Sequence, residues 1–292
     1  MPLLGAHISI AGGLEKAPER GRRATCDVIQ VFTKSNVQWA AGPISQEQQR
    51  LFSTNLEHFG IRMAFGHACY LVNLCSADTG VRRRSRRALA IELARCSFLN
   101  LPYLVFHPGS HGGKGEREAI RWIVGGITWA LEKQPAVASG MSPMLLLETT
   151  AGQGQGVGWR FEHLAEMTTR LEATNRVGIC FDTCHVFAAG YDLRSFEAYG
   201  QTMAEFDQVI GLHHIKVFHL NDSRGELGSR LDRHEHIGRG KIGLEGFRNP
   251  VNDPRFADRP MIIETPKGKT PAMDVANLRR LRRLIVPACA TE

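Results

Sequence analysis

The chain has 292 residues, 43% of them hydrophobic and 22% charged, an ordinary globular composition with a formal net charge of +7. No apolar run approaches the roughly 18–20 residues that span a bilayer, which excludes a transmembrane helix, and MPLLGAHISIAGG lacks the basic segment and cleavage site of a secretory signal. The basic balance makes an anionic partner such as nucleic acid plausible without specifying one.

In chain order, short apolar runs read as strands at Leu3–Ser9, Asp27–Thr33, Ile61–Gly66, Pro102–Phe106, Pro143–Leu147, Arg176–Phe181, His214–Phe218 and Pro260–Ile263. Their Val, Ile and Phe content and their Gly and Pro flanks favour strand over buried helix. Segments of helical period fall between them: Gly13–Ala24, Gln46–Phe59, Thr79–Leu99, Glu116–Lys133, Arg160–Ala173, Phe196–Gly211, Leu244–Val251 and Pro271–Ile285. Strict alternation of strand and helix implies a parallel sheet. Eight such units at this length predict an α/β fold, a (β/α)8 barrel in which residues 1–292 form one domain. Seven cysteines (26, 69, 75, 96, 180, 184 and 289) are odd in number, scattered and without a CxxC pair. That pattern excludes a disulfide scaffold and points to a reducing cytoplasm.

Chemically active residues sit at or just past the strand ends: His7, Lys34, His67, His107, Glu148, Asp182, His219 and Glu264. In a barrel these positions converge on the C-terminal face, where sites are built. Any one of them could merely cap a loop or form a salt bridge; eight in register argue for a site. Carboxylates that follow apolar strands, in MLLLE148 and MIIE264, are costly unless paired or bound to a metal. Mixed with imidazoles, they suit zinc, manganese or iron better than calcium or magnesium. In FDTCHVF the metal reading of Asp182 and His185 competes with a Cys184–His185 nucleophile pair and with a plain strand-to-helix turn. In RLDRHEH, Asp232 shares a side with both His234 and His236 if the segment is extended, so spacing leaves that choice open. His67, His107, Glu148, Asp182, His185, His219, Asp232, His234 and Glu264 are too many ligands for one ion. They imply a multinuclear cluster, a device for activating water against phosphate esters.

GAHISIAGGL, FTK…QW at 32–39, FHPGSH at 106–111, ETTAGQG at 148–154, DTCHVFAAGYDL at 182–193, HLND at 219–222, GSRLDRHEHIGRGKIG at 228–243 and IIET at 262–265 occur in this order. Together they resemble the endonuclease IV family over about residues 4–266. The resemblance implies a TIM barrel with three zinc ions, one or more of them exchangeable for manganese or iron. It implies cleavage of double-stranded DNA 5′ to abasic sites in base-excision repair, leaving a 3′-hydroxyl and a 5′-deoxyribose phosphate, and trimming of blocked 3′ ends. By resemblance, His67, His107 and Glu148 hold the first ion. Glu148, Asp182, His219 and Glu264 hold the second, and His185, Asp232 and His234 the third. Glu148 is implied as the catalytic carboxylate, acting with a metal-held hydroxide.

The resemblance also directs His7, Lys34, Gln38, Tyr70 and Asn73 toward DNA. Val37 stands where the family has an arginine, HACY replaces the commoner HDSY, and ETTAG replaces ENTAG; these departures bear on lesion grip and substrate preference and remove no ligand. The basic runs Arg82–Arg87 and Arg279–Arg283 read as solvated outer faces of barrel helices rather than phosphate contacts. GQGQGVG at 152–158 reads as a loop after the Glu148 strand. A sugar isomerase of the xylose isomerase kind is the rival enzyme, and a DNA-binding protein with structural zinc the rival from another class. The latter calls for cysteine-rich sites that this spacing lacks. The protein is expected to be a monomer.

Overall fold

The computed structural model describes residues 2–134 and 141–286; Cys289 lies outside the described residues. Eight strands close into a parallel barrel: β1 (Leu3–Ile8), β2 (Val28–Phe32), β3 (Met63–His67), β4 (Tyr103–Phe106), β5 (Met144–Glu148), β6 (Val177–Asp182), β7 (Ile215–His219) and β10 (Pro260–Ile263). Two further strands, β8 (Asp222–Ser223) and β9 (His234–Glu235), pair antiparallel in the loop after β7. Around the barrel run α1 (Ala17–Arg23), α2 (Gln46–His58), α3 (Thr79–Phe98), α4 (Glu116–Glu132), α5 (Phe161–Leu171), α7 (Phe196–Val209), α8 (Gly243–Asn252) and α9 (Ala272–Leu284), with a short α6 (Thr183–Ala189) directly after β6. All eight predicted strands are present, each displaced by at most two residues at an end.

The strand period of two turns the barrel's core into a template for its site. Val28, Phe65, Val105, Leu146, Cys180, Val217 and Ile262, one from each strand but β1, form a buried cluster of their own inside the barrel. Side chains two positions apart share a face. The next inward positions are therefore Gln30, His67, His107, Glu148, Asp182, His219 and Glu264. The outer faces of the strands pack against the helices in a second, larger apolar core. Apolar side chains thus plug the barrel below, and a polar layer of those seven residues lies one step above it, toward the C-terminal face.

Departures from the expected elements have local causes. The segment Gly13–Ala24 begins as a 3-10 turn (Leu14–Lys16), and α1 follows with Pro18 in its first turn, where its missing N–H goes unmissed. Arg160–Ala173 ends early, passing into a 3-10 turn over Glu172–Thr174. Helix α6 was not expected, although its signals are present. Asp182 is its N-cap, its Oδ1 accepting the His185 backbone N–H at 2.9 Å, and Gly190 at φ 116 closes it.

Candidate metal centre

The nine residues proposed from sequence to hold metal come together at the C-terminal face, with Glu148 at the centre. His67 Nε2 and His107 Nε2 lie 3.2 and 3.4 Å from Glu148 Oε2, and His219 Nδ1 lies 3.0 Å from Glu148 Oε1. His219 Nδ1 is also 3.4 Å from Glu264 Oε2 and 3.8 Å from Asp182 Oδ2. A third group draws on α6 and on the segment that leads into β9: His185 Nε2 and His234 Nε2 lie 3.1 and 3.7 Å from Asp232 Oδ1. The donor atoms of His67, His107 and Glu148, of Glu148, Asp182, His219 and Glu264, and of His185, Asp232 and His234 form three groups, each within 4.8 Å. Asp182, Cys184 and His234 satisfy the same criterion. His236 turns away and pairs through Nδ1 with Asn277 Nδ2 at 3.0 Å.

The histidine hydrogen bonds test whether this set suits a cation. His67 Nδ1 donates to the Ala68 carbonyl at 2.7 Å, His185 Nδ1 to the Thr149 carbonyl at 2.8 Å, and His234 Nδ1 to the Glu264 carbonyl at 3.1 Å. A carbonyl only accepts, so in the neutral ring each of these bonds leaves the Nε2 lone pair facing the carboxylates. A lone pair facing a carboxylate oxygen is repulsive unless positive charge lies between them. Fixing the far ring nitrogen on a protein acceptor is the usual support of a ligating histidine. The donor set therefore fits a metal cluster.

The electrostatics agree. Burial opposes charge on His185, yet Asp182 and Asp232 hold its pKa well above the ordinary value. His219 is raised likewise against burial, by Cys180, Glu264 and Glu148. Glu148, though buried, stays well below the carboxylate range beside His107 and His219, and Glu264 does so beside His219 and His7. Burial dominates at His107, whose pKa falls. The carboxylates together call for positive charge, which protons or metal ions supply.

Two clefts meet at Tyr70. One of about 650 Å³ is lined by His7, Arg20, Lys267, Lys269 and Glu264, the other of about 390 Å³ by Asn73, His107, Gln153 and Asp232. Tyr70 and Val37 are exposed on the loops after β3 and β2, and the Tyr70 N–H donates to the Asn36 carbonyl at 3.2 Å. Burial pushes the Tyr70 phenol up to about 12, so it stays neutral. Gln38 is exposed and His7 lines the larger cleft.

Lys34 and Asn73, expected to face DNA, line the larger and the smaller cleft respectively and are also engaged within the protein. Lys34 is buried; its ammonium donates to the Gln38 carbonyl at 2.6 Å and lies 3.5 Å from Glu92 Oε1. Asn73 bonds Ser110 through both ends of its amide, donating to its carbonyl at 3.0 Å and accepting its N–H at 3.2 Å. Both tie loops together. The arginine runs lie outside the site: Arg82 stacks on Trp122 and Arg86 on Trp129 of α4, and Arg282 reaches Thr25 and Asp27 near the start of β2.

Sequence reasoning missed three contributors. Gln30, fully buried, bonds both His219 and Glu264; a lone amide inside the apolar run VIQVF, in phase with Val28, was its signal. Gln153 Oε1 accepts the Asp232 N–H at 2.9 Å, so the glycine-rich loop positions a site carboxylate. Arg95 donates to the carbonyls of Thr33 and Gly42, clasping both ends of the loop that carries Val37. Nothing local in the sequence marks the last two.

A closed (β/α)8 barrel with three groups of histidines and carboxylates suited to metal at its C-terminal face defines the class of candidate metal-dependent barrel enzymes. Residues 18–284 match the family described as xylose isomerase-like TIM barrel. A protein named Probable endonuclease 4 from Chloroflexus aurantiacus is 50% identical over 285 residues, covering 98% of this chain and 99% of the relative. Its namesake from Geotalea daltonii is 46% identical over 282 residues, covering 97% and 98%. The crystal structure of endonuclease IV from Thermus thermophilus superposes with a TM-score of 0.85 at 38% identity, covering 97% of this chain and 98% of that one. The chain belongs to the endonuclease IV family, within the xylose isomerase-like barrels, and is a hydrolase of the endonuclease class. A D-tagatose 3-epimerase-like protein shares the fold at 16% identity and a TM-score of 0.71.

Proposed function

We propose that this protein is a zinc-dependent endonuclease of DNA repair that cuts the phosphodiester 5′ to an abasic site in duplex DNA. The products are a 3′-hydroxyl and a 5′-deoxyribose phosphate, and blocked 3′ ends are trimmed by the same chemistry. The observation that carries this reading is the convergence of His67, His107, Glu148, Asp182, His185, His219, Asp232, His234 and Glu264 in three groups, two of which share Glu148. Three ions fit them, zinc first by its preference for imidazole and carboxylate, with manganese or iron as substitutes. Bound there, such ions acidify water and offset the charge that develops on the oxygens at phosphorus. In this reading Glu148, the carboxylate common to two groups, is the catalytic carboxylate, acting together with the water such ions would acidify. Basic Arg20, Lys267 and Lys269 along the larger cleft suit a phosphate backbone. Exposed Tyr70, Val37 and Gln38, with His7 in the cleft, suit contact with the lesion.

We read residues 1–292 as one domain acting as a cytoplasmic monomer; the buried free thiols at Cys26, Cys69, Cys75, Cys96, Cys180 and Cys184 favour a reducing compartment. The deciding experiment pairs metal analysis with incision of a duplex carrying one tetrahydrofuran abasic analogue. Two or more tightly held ions and a single cut 5′ to the analogue are expected. Fewer than two ions, or no incision with metal restored, sinks the proposal.

A further inference from the structure

We propose that Gln30 is a positioning residue that presets the second ligand group, by fixing the tautomer of His219 and the orientation of Glu264. The inference rests on the metal reading above and adds to it a residue from β2, a strand that supplies none of the nine ligands.

The direction of each hydrogen bond follows by elimination. Gln30 Nε2 lies 2.6 Å from Glu264 Oε1. An ionised carboxylate only accepts, so the amide nitrogen, and not the amide oxygen, faces Glu264. Gln30 Oε1 then faces His219 Nε2 at 2.8 Å. Two acceptors cannot pair at that distance, so His219 Nε2 carries a hydrogen. In the neutral ring the lone pair is thereby placed on Nδ1, which points at Glu148 Oε1, Glu264 Oε2 and Asp182 Oδ2. One amide thus chooses which nitrogen of His219 is available to a metal and holds the carboxylate beside it. The other histidines of the cluster with a fixed ring nitrogen use backbone carbonyls; His219 alone among them depends on a side chain. His7 shares this bond network, its Nδ1 lying 2.9 Å from Gln30 Nε2 and 3.0 Å from Glu264 Oε1. Burial of the amide leaves no water to take its place.

The test compares the zinc-loaded full-length protein with Gln30→Met, which keeps length and apolar packing while removing both hydrogen bonds. Metal content and the rate of zinc transfer to a competing chelator are measured for each. One ion of the variant is expected to be lost at least about tenfold more readily, the scale of a supporting residue's effect on metal affinity, while the other two are released as in the parent. Equal release of all ions overturns the proposal, and so does uniform loosening of all three, which marks a packing role. Should Gln30→Met not fold, long-range proton–nitrogen NMR of the zinc-loaded, 15N-histidine-labelled parent protein decides: His219 is expected to carry its one hydrogen on Nε2, and a ring with its one hydrogen on Nδ1 overturns the assignment. A parent protein that holds fewer than two ions defeats the metal reading itself, before any variant is compared.

Discussion

Lys34 Nζ lies 3.5 Å from Glu92 Oε1 with both side chains buried, so an ion pair between the end of β2 and the middle of α3 sits beneath the loop that carries Val37. The same ammonium holds the Gln38 carbonyl, and the same carboxylate accepts the Cys69 N–H at 3.2 Å. The pair therefore joins the two loops that present Val37 and Tyr70.

Breaking this pair is expected to be costly and replacing it mild. Lys34→Met or Glu92→Leu alone leaves a buried charge unpaired, and each should lose about 3–5 kcal/mol in urea denaturation. Burial pushes the Glu92 carboxyl above its usual range even beside Lys34, so desolvation outweighs the attraction. The double variant should consequently be less destabilised than the two single losses combined. A strictly additive double variant would show that the charges do not interact.

Asp182 and His185 should serve different ions although they are three positions apart. Asp182 Oδ2 faces His219 while accepting from Asn221 Nδ2 at 2.7 Å, and His185 Nε2 faces Asp232. The two ring nitrogens of His185 separate them: Nδ1, 3.8 Å from Asp182 Oδ1, is engaged by the Thr149 carbonyl, which leaves Nε2, on the Asp232 side, for a metal. Asp182→Asn preserves the cap of α6, and its protein should lack the ion shared with His219 and Glu264. His185→Ala should lack the one shared with Asp232 and His234. Metal analysis of both, with zinc-edge absorption to report ligand type, checks this; loss of the same ion from each refutes it.

Much of this was readable from the chain because the barrel repeats one rule. Apolar runs of strand length, alternating with helical periods, disclosed all eight barrel strands, and strand parity carried His67, His107, Glu148, Asp182, His219 and Glu264 to one face. What stayed hidden depends on contacts between distant segments. Lys34 looks like a strand-end cation, but Glu92, 58 positions later in the chain, draws it inward. The role of Asn73 depends on Ser110, and that of Gln153 on Asp232. Gln30 was the one omission with a local signal, because its parity with Val28 already aimed it at the site. Whether His234 or His236 joins Asp232 was beyond spacing, because parity puts both on the same side and it is Asn277, 41 positions after His236, that engages the His236 ring.

Cys184 should be dispensable for hydrolysis. Burial pushes its thiol up to about 12, and its Sγ lies 3.7 Å from the Arg233 carbonyl rather than poised on an imidazole. At pH 8 the thiolate fraction is on the order of 10⁻⁴, too little for a nucleophile. Iodoacetamide should label this position in the native protein only very slowly, and Cys184→Ala should retain incision within about threefold, since loss of a true nucleophile removes most activity. A thousandfold loss with metal content intact would restore the cysteine–histidine reading.

Val37 gives the last test, because it is among the most exposed apolar side chains of the fold, at 67%, on the loop that Arg95 and Lys34 hold in place. A held loop presents its tip without ordering cost, so a cation added there should contribute directly. Val37→Arg is expected to tighten binding to duplex DNA with an abasic analogue. Each new phosphate contact should also steepen the fall of log affinity with log salt by about 0.9. Tyr70→Ala should weaken binding with little change in that slope, because its neutral ring contributes stacking and apolar contact rather than charge. Fluorescence anisotropy across a salt series measures both quantities. An unchanged slope and affinity for Val37→Arg would mean that the loop tip does not reach the DNA, and the contact surface would then have to be sought in the basic cleft of Arg20, Lys267 and Lys269.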